Sequence, residues 1–348
     1  MSTTSCCSVR STTPDMWESV IECIVGSQTI AISGHTSPDG DALGSVLGLG
    51  QALIGAFPSK RIVLLLADDA PVPRIYRFLP GVERLVPARS YLEAPDLFIS
   101  VDVPVMERLA DSAAVAKRAR ARVVIDHHPA REEFADAAVR VTSAAATAVL
   151  VEELLQAGGW TLTPQIADCL LTGLVTDTGR FQYQNADPSA FACASRLVDA
   201  GAQPARIALE VYQSQRIEYL KLESIVMSRI RTVAHGRVAY SYAYASDLTQ
   251  CGVSADECDG LVDVVRSVLG VEVCLFLKET DSVRAVRGNL RSKGRLDVSG
   301  VANRFGGGGH SAAAGFTYEG SIVETLRAAL PMLAELVGDD PEDVAVEL

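Results

Sequence analysis

Four short apolar runs, separated by amphipathic stretches, constrain the fold of the first half of this 348-residue chain. They are QTIAIS, RIVLLLA, LFISVDV and ARVVID, at residues 28–33, 61–67, 97–103 and 121–126. Unbroken apolar runs of this length are typical of strands buried on both faces of a parallel sheet. Apolar residues at helical spacing separate the first two runs, so the pattern predicts an α/β domain with a doubly wound, mainly parallel sheet.

Glycines and prolines refine the helices of this domain. Gly44 and Gly48 lie four residues apart in the first helical stretch, and because they lack a Cβ we expect this helix to pack closely against the sheet. Pro164 predicts the start of a later helix and Gly179 its end.

The second half changes character. Residues 188–229 have a nearly continuous helical pattern and are predicted to be a helical connector. RTVAHGRVAYSYA then predicts a hairpin, and further strand and helix patterns follow. We therefore expect a larger domain at 17–187 and a smaller α+β domain at 230–338, with a disordered leader at 1–16 and an acidic tail at 339–348.

Charge and composition exclude several classes of function. The net charge of −12 argues against a protein that coats long nucleic acid, which needs a basic surface. The longest wholly apolar run, at 62–67, is too short to span a bilayer. Eight cysteines without a CxxC pair predict reduced thiols. We expect a cytoplasmic protein with no membrane partner, and a homodimer is compatible with these features.

Histidines and aspartates follow three of the predicted strands and one helix. They lie in SGHTSPDGD, VDVP, DHHP and TDTG, and are His35, Asp39, Asp41, Asp102, His127, His128 and Asp177. Because ligands of such sheets gather beyond the carboxyl ends of the strands, we expect these side chains to converge.

Crowded carboxylates repel one another unless a cation joins them. Taken singly, Asp41 or Asp102 could equally be a helix cap. Together, about six nitrogen and oxygen donors match two divalent cations such as Mn²⁺ or Mg²⁺ better than a structural zinc ion. Two cations about 3.5–4 Å apart can activate a water and hold the attacking and leaving oxygens of a phosphoryl group. The pattern predicts hydrolysis of a phosphate ester.

A second cluster lies in the smaller domain, in FGGGGHSAAAGF at 305–316 and the preceding RGNLRSKG. The run lacks the GK[ST] ending of a triphosphate-binding loop. Its glycines would let backbone N–H groups approach an anion, and His310 adds a donor. Strand alternation should project Arg291 and Lys293 to one face. A solvated basic edge is the structural alternative; the neighbouring glycines favour a phosphate or nucleotide pocket.

These motifs resemble a known family. GHTSPDGDALGS, VDVP, VIDHHP and TDTG resemble the four metal motifs of the DHH phosphoesterases, and NLRSKGRLDVSGVANRFGGGGHSAAAG resembles the DHH-associated C-terminal domain. The match runs from about 17 to 338. With only these two domains, the chain is similar to the stand-alone nanoRNase and 3′-phosphoadenosine 5′-phosphate (PAP) phosphatase type, whose members hydrolyse very short RNAs and, in some cases, linear or cyclic dinucleotides.

The resemblance implies a role for each residue of the first cluster. One ion would be held by His35, Asp39 and Asp102. The other would be held by Asp41, Asp102, His127 and Asp177, with Asp102 bridging the two. The catalytic residues would be Asp102, His127 and His128.

It also implies the residues that bind substrate. His128 would contact the scissile phosphate. The remainder of the substrate would be bound by Arg291, Lys293, Gly307, Gly308, Gly309 and His310. The implied cofactors are two divalent cations, Mn²⁺ first, with Mg²⁺ or Co²⁺ as alternatives.

The leading expectation is a Mn²⁺-dependent phosphoesterase that acts on short oligoribonucleotides, including pApA and pGpG, and on PAP. The alternatives are a cyclic-di-AMP phosphodiesterase, an inorganic pyrophosphatase, and a metal-stabilised nucleotide-binding module without turnover. The complete set of acids and histidines speaks against the last.

Overall fold

The computed structural model describes residues 15–129, 133–280, 285–294, 296–341 and 346. Most of the predicted leader at 1–16 and of the acidic tail at 339–348 lies outside these residues. The chain divides into two compact units between Val211 and Tyr212. This division falls inside the segment 188–229 that the sequence predicts to be a connector, so its helices belong to different units.

A six-stranded sheet forms the centre of the first unit. Its strands are β1 (Thr29–Ser33), β2 (Arg61–Leu66), β3 (Leu85–Pro87), β4 (Leu97–Val101), β5 (Ala121–Asp126) and β6 (Ala137–Arg140). The order is β3-β2-β1-β4-β5-β6 and every pairing is parallel. The predicted doubly wound parallel sheet is confirmed, and the short edge strands β3 and β6 extend it.

Helices cover both faces of this sheet. They are α1 (Asp15–Gly26), α2 (Gly40–Ala56), α3 (Ser112–Arg118), α4 (Thr147–Ala157), α5 (Pro164–Asp177), α6 (Pro188–Asp199) and α7 (Pro204–Tyr212). α3 buries Val115 against Phe98 and Val124 of the strands. α2 and α4 pack together with α5. α5 begins at Pro164 as predicted and ends two residues before Gly179.

The close approach predicted at Gly44 and Gly48 occurs, but not against the sheet. A Cβ on Gly44 would lie 2.3 Å from the carbonyl oxygen of Cys169, and one on Gly48 would lie 2.6 Å from a Leu170 methyl group. Both neighbours belong to α5. The expectation that these two glycines face the sheet is wrong. Helix α2 lies between the sheet and α5, and Gly44 and Gly48 are on the side of α2 that contacts α5.

The order of the strands positions the polar clusters. β1 and β4 are neighbours at the centre of the sheet, and the chain continues from them toward opposite edges. At such a switch point the loops after the two strands diverge and leave a crevice at the carboxyl edge. The loops that carry His35 and Asp102 start there.

The second unit is a mixed sheet with helices on both faces. Its elements are α8 (Ile217–Ser228), β7 (Arg231–Val233), β8 (Val238–Ala243), α9 (Ala245–Cys251), α10 (Val262–Arg266), β9 (Val273–Glu279), β10 (Ala285–Ser292), α11 (Ser299–Arg304), β11 (Gly308–His310), β12 (Ala313–Glu319) and α12 (Ile322–Leu336). The order is β11-β12-β10-β9-β8-β7, with β8 and β9 parallel and the other pairs antiparallel.

The α+β architecture and the hairpin of β7 and β8 are as predicted. Leu290 and Phe316 face α12, whereas Phe276 faces α8 and α10. Among the helices in the described part of the chain there is no candidate for a membrane-spanning segment. The six cysteines in the described part of the chain form no disulfide.

Candidate metal centre

Asp68, at the end of β2, anchors the loop that carries His35. Its Oδ2 accepts hydrogen bonds from the Thr36 hydroxyl at 2.5 Å and from the Ser37 amide at 2.9 Å. Ser37 has a positive φ of 50°, which a residue adopts only where its surroundings impose it. His35 lies near the Thr36 carbonyl through Nδ1 at 2.8 Å, so its Nε2 faces the crevice.

Asp39 uses its two carboxylate oxygens differently. Oδ1 caps α2, accepting from the amides of Asp41 and Ala42 at 3.0 Å. Oδ2 lies 3.7 Å from His35 Nε2. The helix-cap reading and the metal-ligand reading of this aspartate are therefore compatible, since each concerns a different atom.

Asp102 lies among three imidazoles, since its Oδ1 is also 3.4 Å from His128 Nδ1. It follows β4 with a φ of +62°, a left-handed conformation that aspartate tolerates better than most residues. Its Oδ2 lies 3.5 Å from His35 Nε2, and its Oδ1 lies 3.6 Å from His127 Nε2. One carboxylate thus faces a different histidine with each oxygen.

Asp41 is buried and caps α4 from a different helix. The first residue before α4 is Ala146, whose side chain cannot accept a hydrogen bond. The amides of Thr147 and Ala148 donate instead to Asp41, at 2.6 Å to Oδ2 and 2.9 Å to Oδ1. A helix N-terminus favours a negative charge at this position. Asp41 Oδ2 also lies 3.9 Å from His127 Nε2.

The two histidines after β5 are oriented by different acceptors. His127 Nδ1 lies 3.2 Å from the Ala144 carbonyl oxygen, which turns Nε2 toward the carboxylates. Asp126 Oδ1 accepts from the backbone amide of His128 at 3.0 Å and lies 2.9 Å from its Nδ1. Asp126 therefore fixes the ring of His128, a role that the sequence reasoning missed although this aspartate directly precedes the two histidines.

Asp177 completes the group at the last residue of α5. Its Oδ2 lies 3.5 Å from His127 Nε2. The side-chain amide of Asn185 donates to the backbone carbonyls of Asp177 and of Ala145, at 3.1 Å and 2.9 Å. Asn185 thus joins the loop of Asp177 to the turn that precedes α4.

The donor set fits metal ions. His35, Asp39 and Asp102 form one group, and Asp41, His127 and Asp177 form another, each with ligand atoms within 4.8 Å of one another. The nitrogen–oxygen separations of 3.5–3.9 Å exceed an ordinary hydrogen bond. They lie within about 4.2 Å, the largest separation of two ligands each about 2.1 Å from one ion. These carboxylates and imidazoles, of which all but Asp39 and Asp177 are buried, could therefore bind metal ions.

Electrostatics agrees with this assignment. Burial raises the pKa of Asp41 well above its usual range, and the neighbouring carboxylates of Asp102 and Asp177 raise it further. Burial lowers the pKa of His35, but the carboxylates of Asp102 and Asp39 outweigh it and raise the value to about 10. Without metal, an extra proton on His35 supplies the positive charge that the acids require, and a divalent cation would replace it.

The second unit brings Arg291 and His310 to one face of its sheet. Both are paired with Ala313 of β12, Arg291 from β10 on one side and His310 from β11 on the other. Residues directly opposite one another in an antiparallel sheet point to the same face. Lys293 lies beyond the end of β10, where its Nζ donates to the Val268 carbonyl at 2.6 Å.

The second half of the glycine run, Gly308 and Gly309, is part of the sheet and not a loop. Both residues belong to β11. A Cβ on Gly307 would lie 2.1 Å from the Gly315 carbonyl oxygen, and one on Gly309 would lie 2.4 Å from that of Ala313. These glycines let the chain approach the backbone of β12 closely, which is a structural requirement in addition to any contact with an anion.

A polar group next to Arg291 was not predicted. Asn289, two residues earlier on β10, donates to Asp259 Oδ1 at 3.1 Å, and the buried Lys278 donates to the same oxygen at 2.8 Å. Asp259 comes from a segment remote in the sequence, so no local spacing could have indicated the contact.

Comparison with known families and proteins agrees with the motifs. A family model described as the DHH family, N-terminal domain, matches residues 29–174, and the DHHA1 domain matches residues 235–339. The bifunctional oligoribonuclease and PAP phosphatase NrnA of Thermus thermophilus is 30% identical over 314 residues, covering 88% of this chain and 90% of that protein. The protein of the same name from Bacillus subtilis is 29% identical over 290 residues, which cover 82% of this chain and 88% of that protein.

A solved structure shares the fold. The exopolyphosphatase-related protein from Bacteroides fragilis matches with a TM-score of 0.85 and 24% identity, covering 94% of this chain and 98% of its own.

Proposed function

Because this chain belongs to the DHH family of phosphoesterases, we propose that it hydrolyses short oligoribonucleotides, dinucleotides and PAP to mononucleotides with the help of two divalent cations. The two matched domains support membership of the family, and the names of two relatives state oligoribonuclease and PAP phosphatase activity. The observation that carries the proposal is the position of Asp102, whose Oδ2 faces His35 at 3.5 Å while its Oδ1 faces His127 at 3.6 Å.

In this proposal the residues divide into two ion-binding groups that share Asp102. His35 and Asp39 bind one ion, and the second group binds the other through Asp41, His127 and Asp177. When bound, two such ions supply an activated water and stabilise negative charge on the phosphoryl oxygens. We propose Mn²⁺ because the donors mix imidazole with carboxylate; Mg²⁺ and Co²⁺ are the alternatives to be compared.

His128 serves as a cationic group beside the scissile phosphate. Burial lowers its pKa, but Asp102 and Asp126 outweigh this and raise the value to about 11, so the ring is charged at neutral pH. A charged imidazole can donate a hydrogen bond to a phosphate oxygen and can give a proton to a leaving oxygen. Asp126 keeps the ring in place for this role.

The face of the second unit that carries Arg291 and His310 binds the remaining phosphate or nucleoside of the substrate. Arginine suits phosphate because its planar fork donates two hydrogen bonds. Gly307, Gly308 and Gly309 lie beside His310, and Lys293 adds positive charge nearby. The net charge of −12 disfavours long polyanions, which supports a preference for short ones. We place the reaction in the cytoplasm, and the homodimer remains a prediction.

A comparison of substrates tests the proposal. Purified protein with Mn²⁺ is incubated with pApA, PAP, cyclic di-AMP and a long single-stranded RNA, and mononucleotide release is measured. We expect release from pApA and PAP, little from the long RNA, and none from Asp102→Asn. Asp96→Asn, at the opposite edge of the sheet, is the matched control and should retain activity. Binding of pApA without release would instead indicate a binding module, and preference for cyclic di-AMP would indicate the cyclic-dinucleotide phosphodiesterase.

A further inference from the structure

Thr147, the first residue of α4, contacts both groups of candidate ligands. Its hydroxyl donates to Asp102 Oδ1 at 3.0 Å, and its backbone amide donates to Asp41 Oδ2 at 2.6 Å. Asp102 belongs with His35 in one ligand group, whereas Asp41 belongs with His127 in the other. A single residue therefore connects the two carboxylates that the proposed ions would use.

The direction of the hydroxyl bond follows from the chemistry of the pair. A carboxylate only accepts hydrogen bonds, so the Thr147 hydroxyl must be the donor. The residue is fully buried at 0% exposure, which leaves water no access to replace that donor. Threonine is also restricted at χ1, so helix α4 determines where the hydroxyl points. The bond acts on Oδ1, the Asp102 oxygen that faces His127.

We propose that Thr147 is a positioning residue that sets the spacing between the two ion-binding groups, by holding Asp102 with its hydroxyl and Asp41 with its amide. The inference rests on the proposed two-ion function. Groups that orient metal ligands typically contribute about 10–100-fold to metal affinity or activity.

The test isolates the hydroxyl. Thr147→Val keeps the shape of the side chain and the backbone amide, and it removes only the bond to Asp102. Thr147→Ser restores the hydroxyl. Thr172→Val is the matched control, because Thr172 is equally buried but its hydroxyl donates to the Asp168 carbonyl within α5. Thr147→Ala removes the same hydroxyl in a better helix former and takes the place of the valine variant if that one does not fold.

Binding of Mn²⁺ is measured by isothermal titration calorimetry on the full chain, with thermal unfolding in EDTA as the check of folding. We expect Thr147→Val to weaken Mn²⁺ binding about 10–100-fold. Thr147→Ser and Thr172→Val should bind Mn²⁺ with nearly the affinity of the wild type. Wild-type affinity and stoichiometry in Thr147→Val would overturn the role of Thr147 and leave the two-ion function standing. A wild-type protein that binds no Mn²⁺ would overturn both.

Discussion

Gly173 leaves room for Asp41: a Cβ at position 173 would lie 2.8 Å from Asp41 Oδ1 and 3.0 Å from the Ala148 methyl group. Helix α5 can therefore lie directly against the carboxylate only because this residue has no side chain. The same helix ends at Asp177, so it both supplies one candidate ligand and closes the side of another.

Gly173→Ala should displace Asp41 and weaken metal binding. Overpacking a buried site costs about 1–3 kcal/mol, and here the added methyl group presses on a candidate ligand. Gly55→Ala is the control, because a Cβ at position 55 would enter open space and alanine favours the helix. Unfolding by urea and Mn²⁺ titration are measured for both. An alanine at 173 that leaves both quantities unchanged would contradict the close packing described here.

The two roles of Asp39, capping α2 and binding an ion, can be separated by substitution. Asn can still cap α2 through its amide oxygen, but it lacks the charge that would bind an ion. We expect Asp39→Asn to keep nearly wild-type stability and to lose Mn²⁺ affinity. Asp39→Ala should lose the affinity and in addition about 0.5–2 kcal/mol of stability through the missing cap. Urea unfolding in EDTA, followed by Mn²⁺ titration, separates the two effects; equal stability of the two variants would remove the capping role.

Metal binding should release protons. The pKa of His35 is raised to about 10, so its ring is protonated at neutral pH without metal, and an ion that binds at Nε2 must displace that proton. The apparent affinity for Mn²⁺ should therefore rise with pH by up to about tenfold per unit for each proton released.

Calorimetric titrations in two buffers with different heats of protonation count these protons. His235→Ala provides a control, because that side chain is 90% exposed in a turn. We expect the same proton count for this variant as for the wild type. Identical heats of Mn²⁺ binding in the two buffers would show that no proton is released and that His35 is neutral before the ion binds.

We expect Asp96 to contribute to the loss of stability of the first unit in acid. Backbone amides of Thr29 and Gln28 and the Thr29 hydroxyl donate to its carboxylate, and they hold its pKa below the ordinary value of 3.8. A lowered pKa in the folded state contributes stability above the unfolded-state value, and this stability is lost as the pH falls through the folded-state value. This stability is therefore lost below about pH 4.

Asp96→Asn should therefore show a smaller drop in urea midpoint than the wild type when the pH is lowered from neutral to about 3. The comparison is made in EDTA so that loss of metal does not contribute. A steeper acid dependence in the variant than in the wild type would contradict the sign of this effect.

The sequence predicts the parts of the structure that depend on local patterns. The four apolar runs correspond to the central strands, and the rule for open α/β sheets correctly brings together His35, Asp102 and His127 from separate loops. β3 and β6 were not predicted. They are edge strands of 3 and 4 residues, which are too short to show a clear periodic pattern in the sequence.

The supporting residues could not be predicted in the same way. Thr147 and Gly173 are ordinary helix residues in the sequence, and their contacts with Asp41 and Asp102 depend on how α2, α4 and α5 pack. The prediction that Gly44 and Gly48 face the sheet was wrong for the same reason. Periodicity identifies one face of a helix but not the element that packs against it. Asp126 had a local signal, its position before the two histidines.

The proposed shared centre around Asp102 requires a definite number of divalent ions per chain. Equilibrium dialysis against Mn²⁺, followed by metal analysis of the retained protein, measures that number. The arrangement of the two ligand groups around Asp102 predicts two Mn²⁺ ions per wild-type chain and fewer in Asp102→Asn. One ion or none in the wild type, or two ions retained after Asp102→Asn, would contradict the shared two-ion centre.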